Sequence, residues 1–186
     1  MGKKPVVLLI RDGWGYREEK SKNGPVQGHT PYTDYLVEKY PSTLIRASED
    51  AVGLPKGFFG NSEVGHMTLG SGQILKQPIV RISESIKNGD FFENEALLNV
   101  VKTDQTVHIF GLMQREGVHA QFEHLLATVD LCQKHGVTDA SYHVFTDGRD
   151  APVHKSLEKI EKLQQKLEET GVGKIQTVHG RYYAMD

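Results

Sequence analysis

Ser62 lies in a stretch of mostly small residues, positions 60–67 (GNSEVGHM), between Gly60 and Gly65. Glycine allows the backbone to bend sharply or to approach a ligand closely, so the pattern predicts a loop that presents the Ser62 hydroxyl. A serine hydroxyl is a weak nucleophile and needs a base or a metal to activate it. Asp12 follows a short apolar run, and carboxylate and serine oxygens are hard ligands for a divalent cation. The pair predicts a metal-activated serine that takes up a phosphoryl group.

Four other candidates follow predicted strands further along the chain: His119, Arg149, Asp150 and Arg181. An arginine beside a glycine can present its planar fork to a carboxylate or a phosphate. A histidine can carry a proton or contact a phosphate. Non-functional interpretations remain open, because Asp-Gly is common in surface turns and a histidine in an exposed loop need not have a function. His66 is equally compatible with a metal ligand and a helix cap.

The elements that must position these residues alternate between strand and helix. Short apolar runs predict strands at residues 6–10, 43–47, 106–110, 140–145 and 174–178, and helical periodicity predicts helices at 30–40, 79–87, 122–135 and 154–169. This alternation indicates an α/β fold with a mainly parallel sheet and flanking helices. Ligands bind beyond the carboxyl ends of the strands in such sheets, which is where the candidate residues lie.

A glycine-rich stretch at residues 52–75 shows no clear periodicity. Stretches of this length are functional or mobile, and we place a domain boundary at its end, near Gln73. The predicted domains are residues 1–72 and 73–186.

The composition is that of a globular protein. With 22 basic and 24 acidic residues and a net charge of -2, the chain of 186 residues gives no reason to expect nucleic acid or a membrane surface as a partner. Its single cysteine, Cys132, excludes an internal disulfide and fits a reducing compartment. No run approaches the length of a membrane span or a signal peptide, so we expect a cytoplasmic protein.

The sequence also lacks HExxH, CxxC, Walker and GxGxxG motifs. A dinuclear metal site needs several carboxylates and histidines, and only Asp12 and Ser62 are convincing ligands.

The motifs, in order, closely resemble the cofactor-independent (2,3-bisphosphoglycerate-independent) phosphoglycerate mutase family of the alkaline phosphatase superfamily. The resemblance spans the whole chain and rests on these segments: 12–15 (DGWG), 60–67 (GNSEVGHM), 110–112 (FGL), 117–119 (GVH), 147–150 (DGRD) and 180–186 (GRYYAMD).

The resemblance implies an isomerase of glycolysis and gluconeogenesis that interconverts 3-phosphoglycerate and 2-phosphoglycerate through a phosphoserine, without 2,3-bisphosphoglycerate. Ser62 would be the nucleophile, and Asp12 and Ser62 would be ligands of two Mn²⁺ (or Mg²⁺) ions. The substrate contacts would be His119, Arg149, Asp150 and Arg181. Residues 1–72 would be the first piece of a discontinuous, metal-binding, phosphatase-like domain, and residues 73–186 part of a phosphotransferase domain.

The chain departs from the family in two respects. The usual His-Ser-His is here His119-Ala120-Gln121, which changes the hydrogen-bonding groups beside His119. The chain is also much shorter than family members, so we expect further metal ligands, substrate arginines and a lysine to be missing and the isolated chain to be inactive. The complete protein is expected to be a monomer, whereas unpartnered strands would favour self-association of this chain.

Two alternatives stay open. The first is a non-catalytic, stand-alone fragment that binds phosphoglycerate or pairs with a separate chain. The second is a related phosphatase or phosphopentose mutase of the same superfamily, although the segments around Arg149 and Arg181 favour phosphoglycerate.

Overall fold

The structure is a computed structural model that describes residues 4–185, and these form a mixed α/β fold. The helices are α1 (Gly24–Gln27), α2 (Pro31–Lys39), α3 (Ser62–Ser71), α4 (Pro78–Asn88), α5 (Glu95–Val101), α6 (Phe122–Lys134), α7 (Lys155–Thr170) and α8 (Arg181–Ala184). The strands are β1 (Val107–Leu112), β2 (Ala140–Thr146) and β3 (Gly173–Gly180). Two 3₁₀ turns cover Glu49–Val52 and Asp90–Glu93.

The three strands form one parallel sheet in the order β1-β2-β3. α6 connects β1 to β2, and α7 connects β2 to β3, as parallel pairing requires crossover connections. The carboxyl ends of the strands therefore lie along one edge of the sheet, and the segments after β1, β2 and β3 meet there. The predicted α/β class and parallel pairing are confirmed.

One face of the sheet is buried beneath α6 and α7. Tyr142 and Val144 of β2 alternate into this face, where they join Val129 of α6 and Leu163 and Leu167 of α7 in the main core. The apolar residues of α7 recur at helical spacing, so one stripe of the helix packs on the sheet. Burial of these side chains supplies the main driving force for this part of the fold.

The opposite face of the sheet carries His108 and Phe110 of β1 beside His143 and Phe145 of β2. The His143 ring stacks on Phe110, and its Nε2 atom lies 2.9 Å from Nδ1 of His108. The rings cover one another only in part, since Phe110 is 67% exposed.

Two predicted strands are wrong for this chain. Residues 6–10 and 43–47 have no regular secondary structure, and Val6, Val7 and Leu9 are 95%, 85% and 81% exposed. An apolar run becomes a buried strand only when a neighbouring strand accepts its hydrogen bonds. Within residues 4–185 the sheet consists of β1, β2 and β3 alone, and neither run pairs with it.

The glycine-rich stretch is more ordered than its composition predicts, because it contains α3. Val64 of this helix packs with Val52 and Leu54 in a small second core, against Phe58 and Ile79. The backbone of Gln77 also donates to the Gly53 carbonyl at 3.0 Å. Contacts thus cross the boundary predicted near Gln73, and the division into residues 1–72 and 73–186 stays a prediction.

The predicted helices at 30–40, 79–87, 122–135 and 154–169 are confirmed as α2, α4, α6 and α7, with ends that differ by a residue or so. The short helix α5 was not predicted, although Asn94 caps it by accepting hydrogen bonds from the backbones of Ala96 and Leu97. Among the described residues, no helix is both long enough and apolar enough to cross a membrane.

Candidate functional site

Ser62 is the first residue of α3, so the predicted loop is wrong at this position. Asn61 caps the helix, because its side-chain oxygen accepts a hydrogen bond from the Val64 backbone at 3.1 Å. Gly60 is required by a close approach, since a Cβ atom there would lie 1.7 Å from the Ala47 carbonyl oxygen. The small residues that suggested a loop serve instead to start a helix with an exposed serine at its N-terminus.

Asp12 and Ser62 lie together, although they are far apart in sequence. The interaction with the Ser62 side chain is the largest of the causes that hold the pKa of the Asp12 carboxyl below its ordinary value. The hydroxyl oxygen of Ser62 is also 3.2 Å from Nδ1 of His66, one helical turn later, and that nitrogen is 2.7 Å from the Ser62 carbonyl oxygen. Asp12, Ser62 and His66 therefore form a small exposed cluster of a carboxylate, a hydroxyl and an imidazole, here called the serine cluster.

A second cluster forms where the segments after β1, β2 and β3 meet. The Arg181 guanidinium donates to Asp147 at 2.9 Å and to Asp150 at 2.5 Å. Nε2 of His119 lies 3.3 Å from Arg181 and 3.5 Å from Asp150. His119, Asp147, Asp150 and Arg181 are here called the strand-end cluster. Three of the four residues predicted as substrate contacts are thus brought together.

Asp147 is the most enclosed member of the strand-end cluster. Burial raises the pKa of this carboxyl, but hydrogen bonds from the Gln114 side chain, the backbones of Arg149 and Asp150, and the Arg181 guanidinium outweigh it and leave the pKa lowered. Asp147 is therefore a buried carboxylate that balances the charge of Arg181. From the sequence alone, Asp147 is interpreted only as part of an Asp-Gly turn.

Arg149 lies on the exposed part of the same turn. Its backbone donates to the Asp147 carboxylate at 3.2 Å, so the carboxylate shapes the turn on which Arg149 is displayed. The positive φ of +85° at Gly148 suits glycine and completes the turn.

Gln114 is a further member that sequence reasoning missed. Its side chain is buried between the loop that carries His119 and the Asp147 turn, with hydrogen bonds to both. The available signal was its place directly after an apolar strand, where a buried amide must find partners within the site.

A cleft of about 260 Å³ lies between α3, α4 and the loop that carries His119. The residues that line it include Asn61 and Glu63, on either side of Ser62, and residues 117–121. Gly117 packs directly against the Phe58 ring, since a Cβ atom there would lie 1.7 Å from a ring carbon. The cleft therefore extends between the start of α3 and His119 of the strand-end cluster.

The described residues supply only part of a metal site. Asp12 and Ser62 offer adjacent hard oxygen ligands of the kind that Mg²⁺ and Mn²⁺ prefer. Residues 4–185 nevertheless contain no group of three or more histidine, cysteine, aspartate or glutamate side chains that could hold a metal ion. The donor chemistry fits such a cation, while the number of ligands is too small for a complete site.

The chain was compared with known proteins. A family model described as the BPG-independent PGAM N-terminus matches residues 82–186, more than half of the chain. The 2,3-bisphosphoglycerate-independent phosphoglycerate mutase of Synechocystis is 45% identical over 186 residues, which cover 98% of this chain and 35% of that protein. The corresponding protein of Colwellia psychrerythraea is 48% identical over 194 residues, which cover 99% of this chain and 37% of that protein.

Among solved structures, a crystal structure of Leishmania mexicana phosphoglycerate mutase at low cobalt concentration matches with a TM-score of 0.70 and 28% identity. The match covers 83% of this chain and 30% of that one. The chain spans about a third of the length of the relatives it matches. The family model covers more than half of the chain, and the chain therefore belongs to the BPG-independent phosphoglycerate mutase family.

Proposed function

We propose that this chain is part of a phosphoglycerate mutase that interconverts 3-phosphoglycerate and 2-phosphoglycerate through a phosphoserine at Ser62. The observation that carries the proposal is the exposed Ser62 at the first position of α3, beside the Asp12 carboxylate, whose pKa it lowers. This start adjoins a cleft that also reaches His119, in a chain that belongs to the mutase family.

In the first step, the Ser62 hydroxyl gives up its proton and its oxygen attacks the phosphorus of 3-phosphoglycerate, the bond to the 3-oxygen breaks, and that oxygen takes up one proton, so that no net proton is consumed. In the second step, the 2-hydroxyl of the glycerate attacks the phosphoserine, and the Ser62 oxygen leaves and is protonated. Neither water nor a redox partner is consumed. The Asp12 carboxylate, which interacts with the Ser62 side chain, would orient the serine hydroxyl, and positioning of this kind contributes strongly to phosphoryl transfer.

The strand-end cluster offers side chains that suit the anionic groups of the substrate. Phosphoglycerate carries a carboxylate and a phosphate, and arginine forks pair with both groups. Arg149 and Arg181 are proposed to take these anionic groups, and His119 and Asp150 to contact hydroxyl or phosphate oxygens. The two carboxylates on Arg181 hold its guanidinium in a fixed orientation.

Mn²⁺ or Mg²⁺ is the proposed cofactor, with Asp12 and Ser62 as ligands; a bound cation would favour the deprotonated form of the serine. We propose that the remaining ligands belong to the two thirds of the relatives that this chain does not match, so the chain by itself is expected to be inactive. We further propose that the complete protein is monomeric and needs no 2,3-bisphosphoglycerate. We propose a cytoplasmic location as well, with which the single cysteine agrees.

The test is an enolase-coupled mutase assay with Mn²⁺ and without 2,3-bisphosphoglycerate, on this chain and on the complete gene product. The complete product is expected to be active and to gain the mass of one phosphoryl group at Ser62, and Ser62→Ala should remove both signals. Ser71→Ala changes an exposed serine at the other end of the same helix and is the matched control. Full activity in Ser62→Ala would overturn the proposal, and release of inorganic phosphate without isomerisation would favour a phosphatase instead.

A further inference from the structure

We propose that Gln114 is a positioning residue that sets the placement of His119 relative to Asp147 and Asp150. The catalytic importance of Gln114 rests on the proposed function, whereas its hydrogen bonds are seen directly in the structure. Gln114 is 0% exposed, and it lies at the point where β1 ends and the loop carrying His119 begins.

The side-chain amide of Gln114 uses its full hydrogen-bonding capacity. Its Oε1 atom accepts from the backbones of His119 at 2.7 Å and Ala120 at 3.1 Å. Its Nε2 atom donates to Asp147 at 2.9 Å and to Asp150 at 3.4 Å. An amide has two acceptor sites on oxygen and two donor hydrogens, so one buried group connects the His119 loop to the Asp147 turn with no capacity left over.

The amide itself is held by a rigid frame. The preceding residue, Met113, is also 0% exposed; its backbone donates to Phe145 of β2 at 2.8 Å, and its carbonyl accepts from Nζ of Lys159 at 3.0 Å. Gln114 is therefore fixed to the end of the sheet and to α7. Residues of a site are held accurately when their supporting shell is packed and hydrogen-bonded in this way.

The backbone and the ring of His119 are consequently held by different partners. Gln114 accepts from its backbone, while Arg181 and Asp150 lie within 3.3 Å and 3.5 Å of its Nε2 atom. Loss of the amide would leave the His119 and Ala120 backbone donors without an acceptor and would release the loop from the two carboxylates. The ring of His119 would then be held by Arg181 and Asp150 alone, without a fixed backbone behind it.

The first measurement is amide hydrogen exchange by NMR on this chain, in wild type, Gln114→Ala and the matched control Gln133→Ala, which changes an exposed glutamine of α6. Exchange at His119 and Ala120 should be at least about tenfold faster in Gln114→Ala, since buried hydrogen bonds of this kind are lost. The control should leave both rates unchanged. Unchanged rates in a folded Gln114→Ala chain would overturn the proposal.

Gln114→Glu is the second variant, and it serves if the alanine variant fails to fold. A carboxylate still accepts from the two backbone donors, but it cannot donate to Asp147 and Asp150 and repels both of them. Protection of the His119 and Ala120 amides should therefore be retained within about threefold, while the side-chain resonances of the Asp147 turn shift. Loss of protection at His119 and Ala120, in a chain whose α6 amides stay protected, would overturn the assignment of Oε1 as the acceptor.

The second measurement separates positioning from simple stabilisation. In the complete gene product, Gln114→Ala should raise KM for 3-phosphoglycerate at least about tenfold and lower kcat less, because the reacting serine is untouched. Faster exchange with unchanged KM and kcat would show that the amide only stabilises the loop, and would overturn the role in positioning. The exchange result does not depend on mutase activity, so failure of the proposed function and failure of this inference can be told apart.

Discussion

Arg181 and Asp147 form an ion pair that is almost completely removed from solvent, with side chains that are 4% and 0% exposed and a guanidinium-to-carboxylate distance of 2.9 Å. Asp147 follows β2, and Arg181 follows β3, so the pair joins the ends of neighbouring strands. Asp150 lies on the other side of the same guanidinium nitrogen. The pair therefore organises the edge of the sheet at which the predicted substrate contacts meet.

Removal of Asp147 is expected to be costly, because it leaves a buried guanidinium with one carboxylate fewer. Asp147→Ala should lower the free energy of unfolding by about 3 kcal/mol, as is typical when one partner of a buried pair is lost. Urea unfolding followed by circular dichroism would measure the change.

The matched control is Asp130→Ala, which breaks the more exposed pair between Asp130 and Lys166. Exposed pairs contribute about 0–1 kcal/mol. Equal losses in the two variants would contradict the special role of the buried pair.

The pH dependence of stability should carry a contribution from His124. Burial lowers the pKa of His124, against a smaller opposing effect of Glu123, and its Nε2 atom is hydrogen-bonded to the Ser83 hydroxyl at 2.8 Å. The unfolded chain therefore binds a proton at this residue more readily than the folded chain, so the free energy of unfolding falls as the pH drops below about 6.5.

His124→Gln should lose less stability than wild type between neutral pH and mildly acidic pH, as measured by urea unfolding at each pH. His29→Gln, at an exposed position, is the control. A wild-type slope that persists unchanged in His124→Gln would show that the histidine does not contribute.

Cys132 should resist modification in the folded chain. It is 1% exposed in the main core, and burial raises the pKa of its thiol despite a hydrogen bond with Tyr142. Since the thiolate is the reactive form, iodoacetamide should label the residue at least about a hundredfold more slowly in buffer than in denaturing urea. Mass spectrometry would follow the reaction, and equal rates in the two conditions would be inconsistent with a buried thiol.

Gly60→Ala is expected to disturb the start of α3, because the new methyl group would overlap the Ala47 carbonyl. Relief of such an overlap typically costs about 1–3 kcal/mol, and it would displace Ser62 from Asp12. Gly70→Ala, within the same helix, meets nothing within 4 Å and should stabilise the chain by up to about 1 kcal/mol. Thermal unfolding would show whether each substitution raises or lowers the stability of the chain. Destabilisation of similar size in both variants would contradict the close approach at Gly60.

The apolar run at residues 6–10 should make this chain self-associate. Its valines and leucines are exposed, and contiguous apolar surface promotes association. Light scattering during gel filtration should show oligomers that increase with concentration. Leu8→Lys combined with Leu9→Lys should reduce them, whereas Val100→Lys, at a single exposed apolar residue of α5, should not. A monomer at all concentrations would contradict this expectation.

The sequence by itself determined the parallel α/β sheet from residue 107 onward and the family to which the chain belongs. Helical stripes such as that of α7 and the apolar strand β2 are local patterns whose partners all lie nearby in the chain. The residue types at the strand ends also indicated anion recognition, because the ends of parallel strands must meet at one edge.

Only the tertiary structure decided which of those residues meet and which apolar runs are paired. Residues 6–10 have the composition of a buried strand and remain exposed, because a strand is stabilised by neighbours that local sequence does not reveal. The helix α3 begins at Ser62 because the Ala47 carbonyl leaves no room for a side chain at position 60 and because Asn61 caps the first turn of the helix. The hydrogen bond between Gln114 and Asp147 likewise joins segments more than thirty residues apart, which no local pattern encodes.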